Sequence, residues 1–168
     1  MRNSMTKALG AVLALEMWSC VSPMKPQERP DIAARNARMP NPFYDCKTWE
    51  DAEDCADFEF APPSHKPEWI DMMRIRAIRK SMIEALYLGS QQREMRIRKG
   101  KGHYDISGVY GKFDDVTTVK VQGRDVTMKG KGDLISVATW YEGPFTYAIT
   151  ATKGLPRKLV ETMAAEMR

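Results

Sequence analysis

The chain has 168 residues, which suits one compact domain of about 120 to 130 residues with its own hydrophobic core, together with a tail. Its 26 lysine and arginine residues exceed its 22 aspartate and glutamate residues by only four, and such a small excess does not by itself indicate a nucleic-acid partner. Three cysteines are an awkward number for a disulfide framework.

The first 19 residues have features of an export signal. Two basic residues precede an apolar run at 8–15, which is too short to span a bilayer but suits the hydrophobic region of a secretory signal. The end of this segment resembles a bacterial lipoprotein signal, so Cys20 is the candidate lipidation site and would anchor an extracytoplasmic protein to a membrane. Met17 and Trp18 depart from that pattern, and a cytoplasmic protein with an amphipathic N-terminal helix is the alternative.

Residues 20–40 have the composition of a tether. The segment holds four prolines among charged and small residues, and it cannot bury enough apolar surface to order itself. We therefore predict a semi-extended linker between the N-terminal segment and a single domain at 41–168.

The domain is predicted to begin with a turn at Asn41-Pro42 and a short helix. Thr48 can accept a hydrogen bond from a free amide at the start of this helix, and the acidic residues that follow lie where the helix dipole favours negative charge. Phe58 and Phe60 then alternate with acidic residues, which predicts a short strand.

Two runs of alternating apolar and charged residues predict strands. They are MRIRAIRK, which begins at Met73, and REMRIRKG, which begins at Arg93. We place strands at 73–79, 82–88 and 93–99, with a turn at Gly89-Ser90. A single helix over 69–88 is the alternative.

Glycine-containing breaks divide the region 105–152 into further strands, predicted at 116–121, 126–129, 134–141 and 145–151. Gly154 is predicted to end the last strand, and Pro156 to start a helix. The apolar stripe of that helix is Leu155, Leu159, Val160, Met163 and Met167. The predicted fold class is therefore α+β, an antiparallel β-meander sheet covered by a C-terminal helix, with a short N-terminal helix.

Four segments of the domain carry a resemblance to a known family. They are the final helix and the runs MPNPFYDCKTWEDAEDCADFEFAPP, MRIRKGKGHYDISGVYGKF and VTMKGKGDLISVATWYEGPFTYAIT. Together they span about Met39 to Arg168. The chain resembles an uncharacterised family of small secreted bacterial proteins and lipoproteins, a domain of unknown function also found in anti-sigma-type membrane proteins. The resemblance implies an extracytoplasmic α+β domain and favours strands over 73–88, and it implies no activity.

The sequence contains no evident reaction centre. His103, Asp105 and Ser107 would share one face of a strand, but such neighbours lie roughly 6.5 to 7 Å apart, too far for a base to activate a nucleophile. Cys46 and Cys55 do not have a zinc-knuckle spacing. A helix that reaches Cys55 would separate the two by roughly 10 Å, beyond the ~7 Å limit for bridged Cα atoms, which makes a disulfide the less favoured alternative. No enzyme, metal or cofactor is expected.

Basic residues are the best candidates for function. They are Arg74, Arg76, Arg96, Arg98, Lys99 and Lys101. If the two alternating runs are neighbours in the sheet, their arginines form a cationic outer face that repels itself unless Glu84, Glu94 or a bound anion compensates. We predict a non-enzymatic, extracytoplasmic binding domain whose partner is an anionic membrane surface, a cell-wall polymer or another envelope protein. A nucleic acid is not expected, because the sheet lacks a base-stacking signature. A sensory or accessory domain of envelope regulation and a small hydrolase are the alternatives.

Overall fold

The computed structural model describes residues 41–168, which form one compact unit. The predicted signal at 1–19, the lipidation site Cys20 and the tether at 20–40 lie outside the described residues. Within 41–168 there are eight strands and two helices. In chain order they are β1 Tyr44–Cys46, α1 Trp49–Ala56, β2 Ile70–Ile78, β3 Met82–Gly89, β4 Arg93–Lys101, β5 Asp115–Val121, β6 Arg124–Lys131, β7 Leu134–Glu142, β8 Phe145–Pro156 and α2 Arg157–Glu166.

The strands form one antiparallel sheet in the order β1-β2-β3-β4-β8-β7-β6-β5. All paired strands except β4 and β8 are consecutive in the chain, so the sheet consists of two meanders joined along that one pair. Helix α1 packs against the first meander and α2 against the second. The predicted α+β class, with its meander and both helices, is confirmed.

Alternating side chains explain why β2 and β4 are strands. In β2, Ile75 and Ala77 are buried on one side of the sheet, while the intervening Arg76 extends from the other side towards Glu84 of β3. A helix would have placed these apolar and charged residues around a cylinder instead of on two faces. The alternative prediction of a single helix over 69–88 is therefore wrong.

Helix α1 begins where the sequence predicts because Thr48 caps it. The Thr48 hydroxyl accepts a hydrogen bond from the Asp51 amide at 3.1 Å, and the Asp51 carboxylate accepts one from the Thr48 amide at 3.1 Å. Asp57, in the left-handed conformation at φ 62°, ends the helix. The prediction of a short strand directly after this helix is wrong, because residues 58–60 form no strand. Phe60 instead packs its ring against Trp49 of α1, with 5.6 Å between the ring centroids.

The sheet has two different faces. The helix face is covered by α1 and α2, and it contributes Ile97, Trp140 and Ile149 to a continuous hydrophobic core. The loop face is partly covered by the segment 102–114, whose Ile106 packs against Met82 and Ala148. Both faces are therefore buried near the middle of the sheet.

Strand β8 runs directly into α2. Gly154 does not end the strand as predicted, because β8 continues to Pro156, which lies at the N-cap position and not in the first helical turn. Helix α2 buries Val160 and Met163, and Met167 directly after the helix is buried too. Of the predicted apolar stripe, Val160, Met163 and Met167 are confirmed as buried. Leu155 is buried too but belongs to β8, and Leu159 is half-buried.

Candidate ligand-binding site

Two of the four candidate arginines meet one buried carboxylate on the loop face. Strand β3 lies between β2 and β4, and its Glu84 is directly opposite both Arg76 and Arg98. Arg98 places Nε 2.7 Å and Nη2 2.6 Å from the Glu84 carboxylate, and Arg76 contacts the other oxygen of the same group. Arg98 also donates to the Ile106 carbonyl at 2.6 Å. The predicted compensation by Glu84 is confirmed, and these two guanidinium groups are occupied within the protein.

Three of the four remaining candidates form ion pairs as well. On the loop face, Arg74 contacts Asp45 at 3.0 Å and Arg96 contacts Glu94 at 2.5 Å. Both lysines belong to the helix face, since they share the alternation of Ile97, and Lys101 contacts Asp57 at 3.2 Å. The six basic residues therefore lie on two faces, each arginine beside a carboxylate, and they do not form one continuous cationic surface.

Lys99 lies in a box of aromatic rings. Its amine is 4.5 Å from the ring centroid of Phe145 and 5.5 Å from those of Phe58 and Tyr147, and it donates to the Glu59 carbonyl at 2.6 Å. Burial lowers the pKa of this amine, because an apolar environment disfavours the charged form. The ring faces attract the cation, so Lys99 holds the segment after α1 onto the sheet.

A groove opens where β8 bulges away from β7. Val137 pairs with Thr150 and Ile135 with Leu155, so four residues of β8 at 151–154 face the single residue Ser136 of β7. The bulge requires a glycine at position 154. Gly154 has φ +69°, a conformation that other residues rarely adopt, and a Cβ atom at this position would lie only 3.0 Å from the Leu134 Cβ.

The groove has a volume of about 670 Å³ and is bounded by the bulge, the start of α2, the start of β4 and the segment before β2. Its apolar lining includes Trp69, Leu134, Leu155 and Leu159. Leu134 remains 50% exposed, so part of this apolar lining is in contact with solvent. None of these residues was singled out as functional from the sequence, because they are brought together only by the fold.

Charged residues also line the groove. Glu94 is compensated by Arg96, whereas Arg93, Lys153 and Glu68 form no ion pair within 41–168. The lining holds two cations and two carboxylates, and Arg96 pairs with Glu94 from outside the lining. The charges left without an ion-pair partner are therefore two cations and one carboxylate. Arg93 is the first residue of β4, the strand that contains four of the predicted basic residues, although it was not among them.

A serine, a histidine and a glutamate meet outside the groove, but they do not form a hydrolytic triad. Glu166 accepts hydrogen bonds from the Ser64 amide at 2.8 Å, the Ser64 hydroxyl at 3.0 Å and the His65 amide at 3.0 Å. The same ring nitrogen of His65, Nδ1, lies near both Glu166 and the serine hydroxyl. A triad uses the two ring nitrogens separately. The cluster instead fastens the segment 61–65 to α2, as does the mutual backbone pairing of Ala61 and Arg168.

The contribution of Glu166 to stability depends on pH. Hydrogen bonds from the His65 amide, the His65 ring and Ser64 lower the pKa of Glu166 from 4.5 to about 2. A carboxylate with a lowered folded pKa stabilises the protein fully above its unfolded pKa, and this stabilisation is lost as the pH falls through the folded pKa. We expect the urea midpoint to fall between pH 4.5 and about 2, and to fall less in Glu166→Gln. Glu161→Gln, on the same helix and without these bonds, is the control. An equal fall in the parent and in Glu166→Gln would contradict the assignment.

The residues that superficially suggested a hydrolase in the sequence do not assemble. His103 contacts the Gly143 carbonyl at 2.7 Å, whereas the Asp105 carboxylate accepts from the Ser107 amide at 2.7 Å and lies 3.9 Å from Lys129. Among residues 41–168 there is no group of three or more histidine, cysteine, aspartate or glutamate side chains placed to hold a metal. Cys46 and Cys55 are free thiols. In the described part of the chain, no helix is both long and apolar enough to cross a membrane.

Comparison of the chain with protein-family models, with curated proteins and with solved structures finds no match, so the family resemblance drawn from the sequence stays a prediction.

Proposed function

We propose that residues 41–168 are a non-enzymatic, extracytoplasmic binding domain whose groove takes an amphipathic ligand with an apolar body and an anionic group. The observation that carries this proposal is the groove of about 670 Å³ between the bulge of β8 and α2. Its volume lies in the range of about 300 to 1,000 Å³ that is usual for ligand sites.

The apolar lining supports the apolar part of the ligand. Trp69 and Leu159 are only half-buried and Leu134 is half exposed, so the walls of the groove present apolar surface to solvent. Fully burying a leucine contributes roughly 1.5 to 3 kcal/mol, so covering the exposed half of Leu134 contributes about half of that. A ligand that filled the groove would gain this contribution at several side chains.

The charges support the anionic part. Arg93 and Lys153 are at the groove without a carboxylate partner among the described residues, and their sum exceeds the opposing charge of Glu68. An anionic group would therefore be attracted, whereas a cationic one would be repelled. Membrane lipids and cell-wall polymers both carry such groups, so the partner classes predicted from the sequence remain proposals. Export and lipidation at Cys20 also remain proposals.

Two dyes that differ by one charge can test this site. Anilinonaphthalene sulfonate is apolar and anionic, and phenylnaphthylamine has the same rings without the sulfonate. We expect both dyes to bind with enhanced fluorescence, and the anionic dye to bind more tightly. Leu134→Glu should weaken binding of the neutral dye about tenfold or more, because it removes the apolar contact of Leu134 and places a carboxylate against the apolar rings of the dye.

The controls separate the two parts of the proposal. Tyr110→Glu changes a side chain that is 88% exposed and outside the groove, and it should leave both affinities unchanged. In Arg93→Gln combined with Lys153→Gln, the preference for the anionic dye should disappear. Dye binding that is insensitive to Leu134→Glu, in a variant that still melts cooperatively, would refute the groove as the site.

A further inference from the structure

We propose that the ligand of the groove is a zwitterionic amphiphile, with one apolar chain and a head group in which a phosphate is followed by an ammonium group. This inference rests on the proposed function, because it concerns the same groove and adds the chemistry of the head group. The lining holds three charges without an ion-pair partner among residues 41–168, and they are Arg93, Lys153 and Glu68. An anion alone would leave Glu68 unmatched, whereas a zwitterion offers a partner to all three.

The pairing of β4 with β8 brings the two cations together. The last registered pair of these strands is Met95 with Ala151. Arg93 and Lys153 each lie two residues beyond this pair, and both line the groove. The strands are still adjacent there, because the Thr152 hydroxyl accepts a hydrogen bond at 3.1 Å from the first amide after Arg93. Like charges opposite one another destabilise a pair of strands, and one anion between them removes this repulsion.

A phosphate diester suits this pair of cations. The planar fork of the Arg93 guanidinium group can bind two phosphate oxygens, while the Lys153 amine binds a further one as a point charge. Arg93 is only partly buried and Lys153 is exposed, so a ligand can reach both. A carboxylate would end the chain at the anion, whereas a phosphate diester continues to a second group on its other side.

Glu68 and Trp69 are placed to receive an ammonium group in that position. Trp69 lies directly over Gly89, since a Cβ atom at this glycine would be only 2.5 Å from the Cε3 atom of the indole ring. Gly89 is the cross-strand partner of Arg93, so the indole lies beside the anion position. The face of a tryptophan ring attracts an alkylammonium group, and the neighbouring carboxylate of Glu68 attracts the same charge.

The apolar part of the lining lies on the other side of the two cations. Leu134 comes from β7 and Leu159 from α2, whereas Trp69 directly precedes β2 and covers β3. In the sheet, β4 and β8 lie between β3 and β7. The order across the groove is therefore apolar chain, phosphate and ammonium, which is the order of these groups in a phospholipid with an amino-alcohol head group.

Calorimetric titration of the full chain below the micelle concentration tests this order with two matched ligands. One is dodecylphosphocholine, and the other is its isostere with a carbon atom in place of the ammonium nitrogen. We expect dodecylphosphocholine to bind about tenfold more tightly. Glu68→Gln should remove most of this preference and leave the affinity for the isostere unchanged. Glu50→Gln removes an exposed carboxylate outside the groove that has no ion pair within 41–168, and it should keep the preference.

The two cations provide a second comparison. Arg93→Gln combined with Lys153→Gln should weaken both ligands alike, because both carry the phosphate. Equal affinities for the two ligands in the wild-type chain, or a preference that Glu68→Gln leaves intact, would overturn the inference. Binding of neither ligand would overturn it too. The proposed function is judged separately by the two dyes, because they carry no ammonium group and their binding depends on Leu134.

Discussion

A chain that ends at Pro156 is expected to lose cooperative unfolding. The truncation removes Val160, Met163 and Met167, which are at most 1% exposed in the core of the helix face. At roughly 1.5 to 3 kcal/mol for each side chain, the loss is about 5 to 9 kcal/mol. This loss is comparable to the whole free energy of unfolding of a typical domain, which is ~5 to 15 kcal/mol. Thermal melting followed by near-ultraviolet circular dichroism would measure the effect.

A point substitution on the outer side of the same helix provides the control. Lys158 is exposed and makes no ion pair among the described residues, so Lys158→Ala should change the free energy of unfolding by less than about 0.5 kcal/mol. If the truncated chain still melted in one sharp transition, α2 would not belong to the cooperative core.

Replacing Glu84 by alanine is expected to lower the free energy of unfolding by about 3 to 5 kcal/mol. The substitution leaves the guanidinium groups of Arg76 and Arg98 side by side, and Glu84 itself has no exposed surface through which water could take its place. The exposed pair of Arg74 and Asp45 on the same face is the matched control, and Asp45→Ala should cost less than about 1 kcal/mol. Urea unfolding of both variants would give the comparison.

A triple variant distinguishes charge from packing at this position. If Arg76, Glu84 and Arg98 are replaced together by methionine or leucine, no buried charge is left unpaired, and much of the loss in Glu84→Ala should be recovered. A loss in Glu84→Ala no larger than that in Asp45→Ala would show that the three side chains are not coupled.

Most of the strands could be predicted because they are encoded locally. Gly123 supplies the turn between β5 and β6, and the alternation around Ile75 and Ile97 identifies β2 and β4. The same alternation already indicated that Lys99 lies on the face of Ile97 and not on that of Arg98. Lys99 is next to Arg98 in the sequence, but the two-residue period of a strand places the two side chains on opposite faces of the sheet.

The groove could not be predicted, because its residues come from separate parts of the chain. Trp69, Arg93, Leu134 and Leu159 meet only after β4 has paired with β8 and α2 has packed on the sheet. One local signal was present: Gly154 lies inside a strand, and an internal glycine often marks a bulge. A glycine followed two residues later by a proline also fits the end of a strand and the start of a helix, so this signal does not by itself identify the bulge.

The single pairing that joins the two meanders has a kinetic consequence. Every hairpin of the sheet closes over a short loop, whereas Lys101 meets Phe145 only after the chain between them has been ordered. Contacts over such long sequence separations are entropically costly and slow to form. We therefore expect the two meanders to collapse separately and the pairing of β4 with β8 to form late in folding.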